Sequence, residues 1–372
     1  MKRFYSVLAL FALGLGFAFG QAVAADPAVA VTSAAPAAAS APTTAAVAAS
    51  PPSSSPKIEF SEIWAYLMDG EEGFLAASQP ITDLGYFGAG ISMSGKLVGV
   101  PDRRKLGAFK GRVHLVVAEP ENYALTHFCL DPQYALRDSL IADIAAGAAA
   151  YDGAQIDFEA VSSQDCENFY AFLALLKRAL GNKTLSVALP AQVKDGAESP
   201  SYERIAQIVD RIVVMAYDEH WSASEPGPVA SIEWCQKVSA YALSRVDPAK
   251  LVMGAPFYGR AWVDKSLARA YKYSSLLKLI DEKQLGPIRR KGDIPFMEYV
   301  ELVNVKVYFD DYDSTLARLT MYRSSSVRNI AFWRLGQEDS GIWGAIAVSA
   351  ASAPPSPPSA PPDYSRPPYL QP

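Results

Sequence analysis

Cysteine and histidine are scarce. Cys129, Cys166 and Cys235 are the only cysteines in 372 residues. Three cannot make a disulfide framework, and one stays unpaired if a bridge forms. No C-x-x-C occurs, and His114, His127 and His220 are scattered with no H-x-x-x-H pair. The expectation is ordinary thiols and no structural or catalytic metal site. Basic runs are missing too. The net charge is −5 and no stripe of Lys or Arg could track phosphates, which argues against a nucleic-acid partner. No Gly-rich phosphate turn follows an early strand, and no cofactor is expected.

What is present is an ordinary globular composition, half apolar and one fifth charged, with length for one large domain or two small ones. The N-terminus stands apart. Lys2 and Arg3 precede an uncharged apolar run from Phe4 to Phe19, and Ala22-Val23-Ala24-Ala25 offers a small-residue cleavage site. Residues 1–25 read as a cleavable signal peptide, which implies export to the periplasm, the cell wall or the medium. An uncleaved anchor is the other reading, for which the run is slightly short. No Cys lies near the site to accept a lipid. Residues 26–56 are almost all Ala, Pro, Ser, Thr and Val and read as a disordered linker, and 352–372 as a Pro-rich tail. The folded part is 57–351.

Inside it, strand-like and helix-like segments alternate. Strands are expected at 63–68, 84–92, 112–118, 153–159, 185–189, 211–217, 251–257 and 329–333. Helices are expected at 135–150, 163–180, 201–209, 231–245, 315–322 and 341–348. Alternation of this kind predicts a parallel sheet, and eight units predict an α/β fold of the (β/α)8 barrel type. An irregular stretch at 264–312, after the seventh strand, reads as a small α+β insertion. A doubly wound open sheet is the alternative.

In the fourth strand, Ala154, Ile156 and Phe158 fall on one face and Gln155, Asp157 and Glu159 on the other. A buried polar row needs partners, and neighbouring carboxylates raise each other's pKa. Such a row suits a carboxylic acid kept protonated for general-acid catalysis. A half-exposed strand with a wet face is the plainer reading. Other strand ends carry Tyr217, Asp218, Tyr258, Arg260 and Trp333, all bound for one rim of such a barrel. Aromatic faces with carboxylates are what a sugar cleft uses.

These strand ends resemble glycoside hydrolase family 18, the chitinase-like family, over essentially the whole folded region. Asp152-Gly153-Ala154-Gln155-Ile156-Asp157-Phe158-Glu159 is similar to its D-G-x-D-x-D-x-E motif. Met215-Ala216-Tyr217-Asp218 is similar to M-x-Y-D, and Gly254-Ala255-Pro256-Phe257-Tyr258-Gly259-Arg260 to G-x-P-F-Y-G-R. Trp333 stands where the family has a Trp on the eighth strand. The strings 217–221 and 332–336 look most like the bacterial branch that includes spore-cortex-lytic N-acetylglucosaminidases. That branch's LysM wall-binding repeats are not evident.

The resemblance implies roles. Glu159 would be general acid and then base. Asp157 would orient the substrate's N-acetyl group, whose oxygen would be the nucleophile in a retaining, substrate-assisted reaction. Tyr217 would hydrogen-bond that acetamido group, Asp218 would hold sugar hydroxyls, and Trp333 would floor the reacting subsite. Gln155, Tyr258 and Arg260 are further candidates near the substrate. Plainer roles stay open: Trp333 as core filling, and Tyr258 with Arg260 as a structural pair. Two departures stand out. Gln155 replaces the first Asp of the row, and the third strand ends Val116-Val117-Ala118-Glu119-Pro120 without the Ser-x-Gly-Gly string of chitinases. The implied protein is an exported monomer acting on a polysaccharide, peptidoglycan or chitin-like. A non-hydrolytic glycan-binding protein on the same fold is the alternative.

Overall fold

The computed structural model describes residues 56–196, 199–263, 267–300 and 304–349. The expected signal peptide, the linker apart from Pro56, and the Pro-rich tail lie outside the described residues. The elements in chain order are β1 Ile58–Phe60, β2 Glu62–Met68, β3 Asp83–Ile91, β4 Leu97–Val98, β5 Arg112–Glu119, α1 Tyr123–Leu130, α2 Leu136–Gly147, β6 Gly153–Phe158, α3 Cys166–Leu180, β7 Thr184–Pro190, α4 Tyr202–Ala206, β8 Arg211–Met215, α5 Ile232–Arg245 and β9 Leu251–Pro256. Then come β10 Tyr258–Val263, β11 Arg269–Lys272, α6 Tyr273–Glu282, β12 Arg289–Lys291, β13 Ile294–Val300, β14 Asn304–Tyr308, α7 Tyr312–Ser324, β15 Asn329–Trp333 and β16 Ile346–Val348.

Eight of these strands (β2, β3, β5, β6, β7, β8, β9 and β15) are parallel neighbours, and β2 pairs with both β15 and β3, so the sheet closes. This is the (β/α)8 barrel. Its strands read as continuous apolar runs because both faces are buried. The inner face carries Trp64, Tyr66, Phe87, Val116, Val213, Val252 and Ala331. The outer face packs on the helices. There the alternation of β6 puts Ala154, Ile156 and Phe158, with the Phe158 ring 5.7 Å from Phe172 of α3. Helix α3 forms because Phe169, Phe172, Leu173, Leu176 and Leu180 recur at helical spacing. Gly181, at φ 60°, ends it in a conformation that side chains resist.

The structure corrects two expectations. Residues 341–348 are not a helix. Ser340–Gly344 is a 3-10 turn, and Ile346 to Val348 pairs in parallel with β1, register Ile58↔Ile346. Alternate apolar residues favour the strand once a free edge is beside them. The insertion also begins before 264. Tyr258–Val263 is already part of it, as β10 of a five-stranded antiparallel sheet ordered β11-β10-β14-β13-β12. Helix α6 covers one face through Leu276, packed with Ala261, Met297, Val307 and Phe309.

The bottom of the barrel, where the strands begin, is an ionic plug. Arg211 holds Glu62 with contacts of 2.6 and 2.9 Å. Arg112 bridges Glu62 and Asp83 at 2.7 Å each. His114 meets Asp83 at 2.8 Å and stacks on Trp64, 4.5 Å between ring centres.

Candidate active site

The opposite rim, at the strand C-termini, carries the candidate residues. β6 brings Gln155 and Asp157 up the inside of the barrel, both buried, and the chain then leaves the sheet at Glu159. The Glu159 backbone N–H donates to the Glu119 carbonyl at 3.1 Å, which fixes the turn. The Glu159 side chain is open to solvent yet crowded by protein, as befits the wall of a cleft. Burial raises the Asp157 carboxyl to about 7. Desolvation, then the charges of Asp157, Asp218 and Glu121, push Glu159 up to about 8. The two titrate together, and one proton between them is the state this surrounding favours near neutral pH.

Tyr217 follows β8 and is half-buried. Desolvation, with Tyr66, Asp157, Tyr258 and Glu159 around it, holds its phenol far above the ordinary value, so it is a donor. Its ring has room because Gly254 has no side chain: a Cβ there would lie 2.7 Å from the Val214 carbonyl oxygen and 3.1 Å from the Tyr217 ring. Trp333 ends β15 at the cleft floor, with its ring 4.8 Å from Phe87 and 5.4 Å from Tyr66.

Asp218 sits at φ 61°, a conformation that costs energy outside glycine and collects at functional sites. Three groups hold it there. Arg260 donates through Nε and Nη2 at 2.9 and 2.8 Å, and Tyr258 through its hydroxyl at 2.6 Å. Tyr258 and Arg260 are themselves buried. They brace Asp218, chiefly through its Oδ1, and leave its side chain a quarter exposed. Gln155 is fully buried and donates from Nε2 to Ser186 Oγ at 3.1 Å. It lies two residues before Asp157 on the same strand, facing the same side.

The structure thus gathers Asp157, Glu159, Tyr217, Asp218 and Trp333 on one rim, with Gln155, Tyr258 and Arg260 behind them. Sequence reasoning missed Tyr66. It enters from β2, its hydroxyl buried beside the Gln155 amide and the Asp157 carboxyl, and Gly85 makes its space, since a Cβ there would lie 2.4 Å from the ring. The signal was a polar tip at an inward position of an otherwise apolar strand. The three thiols are unbridged, Cys129 and Cys235 buried.

A closed parallel barrel with a carboxylate pair at the end of its fourth strand, flanked by Tyr and Trp, defines a barrel of the glycosidase type. The family model described as glycosyl hydrolases family 18 matches residues 137–338, and the chain belongs to that family. It is 28% identical over 210 residues to the Bacillus subtilis protein named "Uncharacterized glycosylase YvbX", a match covering 53% of this chain and 61% of that one. It is 26% identical over 284 residues to the "Cortical fragment-lytic enzyme" of Bacillus subtilis, covering 70% and 66%. Among solved structures, the Bacillus cereus spore cortex-lytic enzyme SleL superposes with a TM-score of 0.71 at 23% identity, covering 79% of this chain and 76% of that chain. The chain spans less than two thirds of the length of both curated relatives.

Proposed function

We propose that this protein is an exported glycoside hydrolase that cleaves β-linked N-acetylglucosamine glycans of the cell wall, with retention and with the substrate's own acetamido oxygen as nucleophile. The observation that carries the reading is the Asp157–Glu159 pair at the end of the fourth barrel strand, where desolvation and neighbouring carboxylates raise both acids. Glu159, protonated, gives its proton to the leaving glycosidic oxygen. Asp157, ionised as Glu159 holds the proton, accepts from the acetamido N–H and turns its oxygen toward the anomeric carbon, and the Tyr217 hydroxyl donates to the acetamido group. Glu159, now ionised, takes a proton from the water that opens the cyclic intermediate. Trp333 supplies an apolar floor for the pyranose ring. The names of the relatives support wall glycan over chitin. Export is supported by the basic and apolar N-terminal segment.

The test is digestion of purified peptidoglycan and chito-oligosaccharides side by side, with the new reducing ends identified by mass spectrometry. Reducing-end N-acetylglucosamine from peptidoglycan is expected. Reducing ends that are only N-acetylmuramic acid reject the specificity, and equal cleavage of de-N-acetylated substrate rejects the acetamido nucleophile. Glu159→Gln is expected to fold, bind glycan and turn over about 10²–10⁴-fold more slowly. Wild-type protein that binds but never cleaves would instead make it a glycan-binding protein.

A further inference from the structure

Beside the segment that follows Trp333, the rim carries a cation that the proposed reaction does not use. Lys272 ends β11. It stands opposite Tyr258 in the β10–β11 register, so the two side chains leave the same face of the insertion sheet. On that face the Tyr258 hydroxyl reaches Asp218 at 2.6 Å. The Tyr273 backbone N–H donates to the Gln337 carbonyl at 2.9 Å, and the Leu335 N–H to the Tyr66 carbonyl at 2.9 Å, so the end of β11 and the segment after Trp333 are seated together on the barrel. Phe74, from the loop after β2, completes the group. Gly336 makes room for its ring, since a Cβ there would lie 2.4 Å from it, and the Lys272 ammonium stands 4.5 Å from the ring centre.

Glu71 is the carboxylate at this place. It meets Arg334 and, at 3.5 Å, Lys272. Two cations thus share one anion. The neighbouring acids are engaged elsewhere: Glu72 with the Tyr86 hydroxyl and the Gly70 N–H, Asp69 with Lys105 at 2.6 Å, and Glu338 with the Trp343 indole at 3.1 Å. Arg334 is mostly buried, whereas Lys272 is a third exposed, so the ammonium is the charge that solvent reaches. Its contact with Glu71 is longer than an ordinary N–H···O bond, and an ammonium has three donors to give. Phe74 beside it is 42% exposed. A cation held at the edge of an apolar ledge, on the face that braces the sugar site, suits a carboxylate carried on a sugar.

We propose that Lys272 anchors the carboxylate of the lactyl ether on the N-acetylmuramic acid next to the reacting sugar, and so selects wall glycan over chitin. In a strand of alternating residues, both neighbours of a reacting N-acetylglucosamine are N-acetylmuramic acid. The sugar that reaches the Phe74 ledge therefore carries a lactyl group whichever way the strand runs. Its carboxylate accepts from the Lys272 ammonium and joins Glu71 as the second anion between the two cations, while Arg334 stays on Glu71. Chitin has a bare hydroxyl at that position and leaves the ammonium to water. The inference rests on the reading of this rim as a glycosidase cleft and names the substrate group that the cleft recognises.

The experiment gives the full chain wall strands of matched length in three forms: stripped of peptide with the lactyl carboxylates free, the same strands with those carboxylates converted to methylamides, and strands that keep their peptides. Initial rates yield kcat and KM on each. The wild type should favour the free carboxylate over the methylamide by about tenfold in kcat/KM, carried by KM. The preference should shrink at high salt, because the ammonium is open to solvent. Lys272→Met keeps the stem over Phe74 and removes the charge. In it the ratio between the two strands should fall to about one, and Lys272→Arg should restore most of it. A residue that only clamps the loop after β2 to the insertion would lower stability or all rates together and leave the ratio alone. An unchanged ratio in folded Lys272→Met therefore overturns the inference. Dependence on Lys272 confined to peptide-bearing strands overturns it too, since the anion then lies on the peptide. If the variant does not fold, a wild-type ratio near one at low salt does the same. If the chain cleaves none of the strands, calorimetric binding of the same pair decides. A preference for the free carboxylate that Lys272→Met abolishes keeps the anchor and rejects the reaction, and equal binding rejects the anchor.

Discussion

Burial disfavours the ionised form of Asp157, and burial together with neighbouring carboxylates disfavours that of Glu159, so both carboxyls stand above the value of about 4 they would have in the unfolded chain. The sign follows by linkage. Each acid's contribution to folding stability is complete below about pH 4 and is lost as the pH climbs toward 7 to 8, where the folded protein must ionise groups that its interior resists. Asp157→Asn removes one of them. Its melting temperature should match that of the wild type near pH 4 and exceed it above about pH 8, while glycan turnover drops about 10²-fold or more. Melting curves across pH decide this, and a difference that stays constant with pH contradicts it. The same raised acid places the alkaline limb of the proposed activity near pH 8, well above where a free Glu would have lost its proton.

At the scale of elements, the insertion does more than decorate the rim. Its first strand, β10, carries Tyr258 and Arg260 to Asp218, so the strained residue beside Tyr217 depends on a sheet that is not part of the barrel. The insertion is in turn moored by one buried ion pair. Arg318 of α7 meets Asp310, just after β14, at 2.8 Å and the Ala230 carbonyl in the loop before α5, with both side chains cut off from solvent. Removing one partner leaves a buried charge alone. Arg318→Met should cost about 3–5 kcal/mol, and adding Asp310→Leu should recover much of it, because an apolar pair of similar volume fits a dry site. Urea unfolding of the single and double variants measures both. Equal stability of the single variant and the wild type would show that the pair does not moor the insertion.

Across the whole molecule, the two ends of the barrel divide the work. The strand starts hold Glu62, Asp83, Arg112, His114 and Arg211 in a plug far from the cleft, and the strand ends hold the candidate chemistry. In barrels of this kind the bottom face serves stability and the top face serves reaction. Arg211→Met should therefore cost about 1–3 kcal/mol by taking two charge-assisted hydrogen bonds from Glu62, which keeps Arg112 and the Trp64 indole. It should leave kcat within about twofold wherever the protein is still folded. Parallel denaturation and product-release assays test the division, and a large loss of kcat in folded protein would break it. The β1–β16 pair adds a seam at the same bottom face, where Ile58 lies beside Ile346.

Much of this was written in periodicity. The eight strands follow from apolar runs bounded by turn residues. The split of β6 into Ala154, Ile156 and Phe158 against Gln155 and Asp157 follows from a repeat of two. Helix α5 starts where Ser231 can cap it, with its hydroxyl accepting from the Trp234 N–H. These are local properties, and neighbours along the chain suffice to state them. What tertiary structure decided is which distant groups meet. Nothing near Tyr66 in the chain says that it will lie beside Asp157, since β2 and β6 become companions only when the sheet closes. Nothing near Asp218 says that Arg260 will brace it. Ile346 and Val348 could sit on a helix or a strand until the edge of β1 offered hydrogen bonds. The charged residues that open β2, β3, β5 and β8 could have been solvated ends until closure set them face to face. The same carboxyls that would ionise at about pH 4 in an extended chain stand higher here because the barrel desolvates Asp157 and sets the charges of Asp157, Asp218 and Glu121 around Glu159.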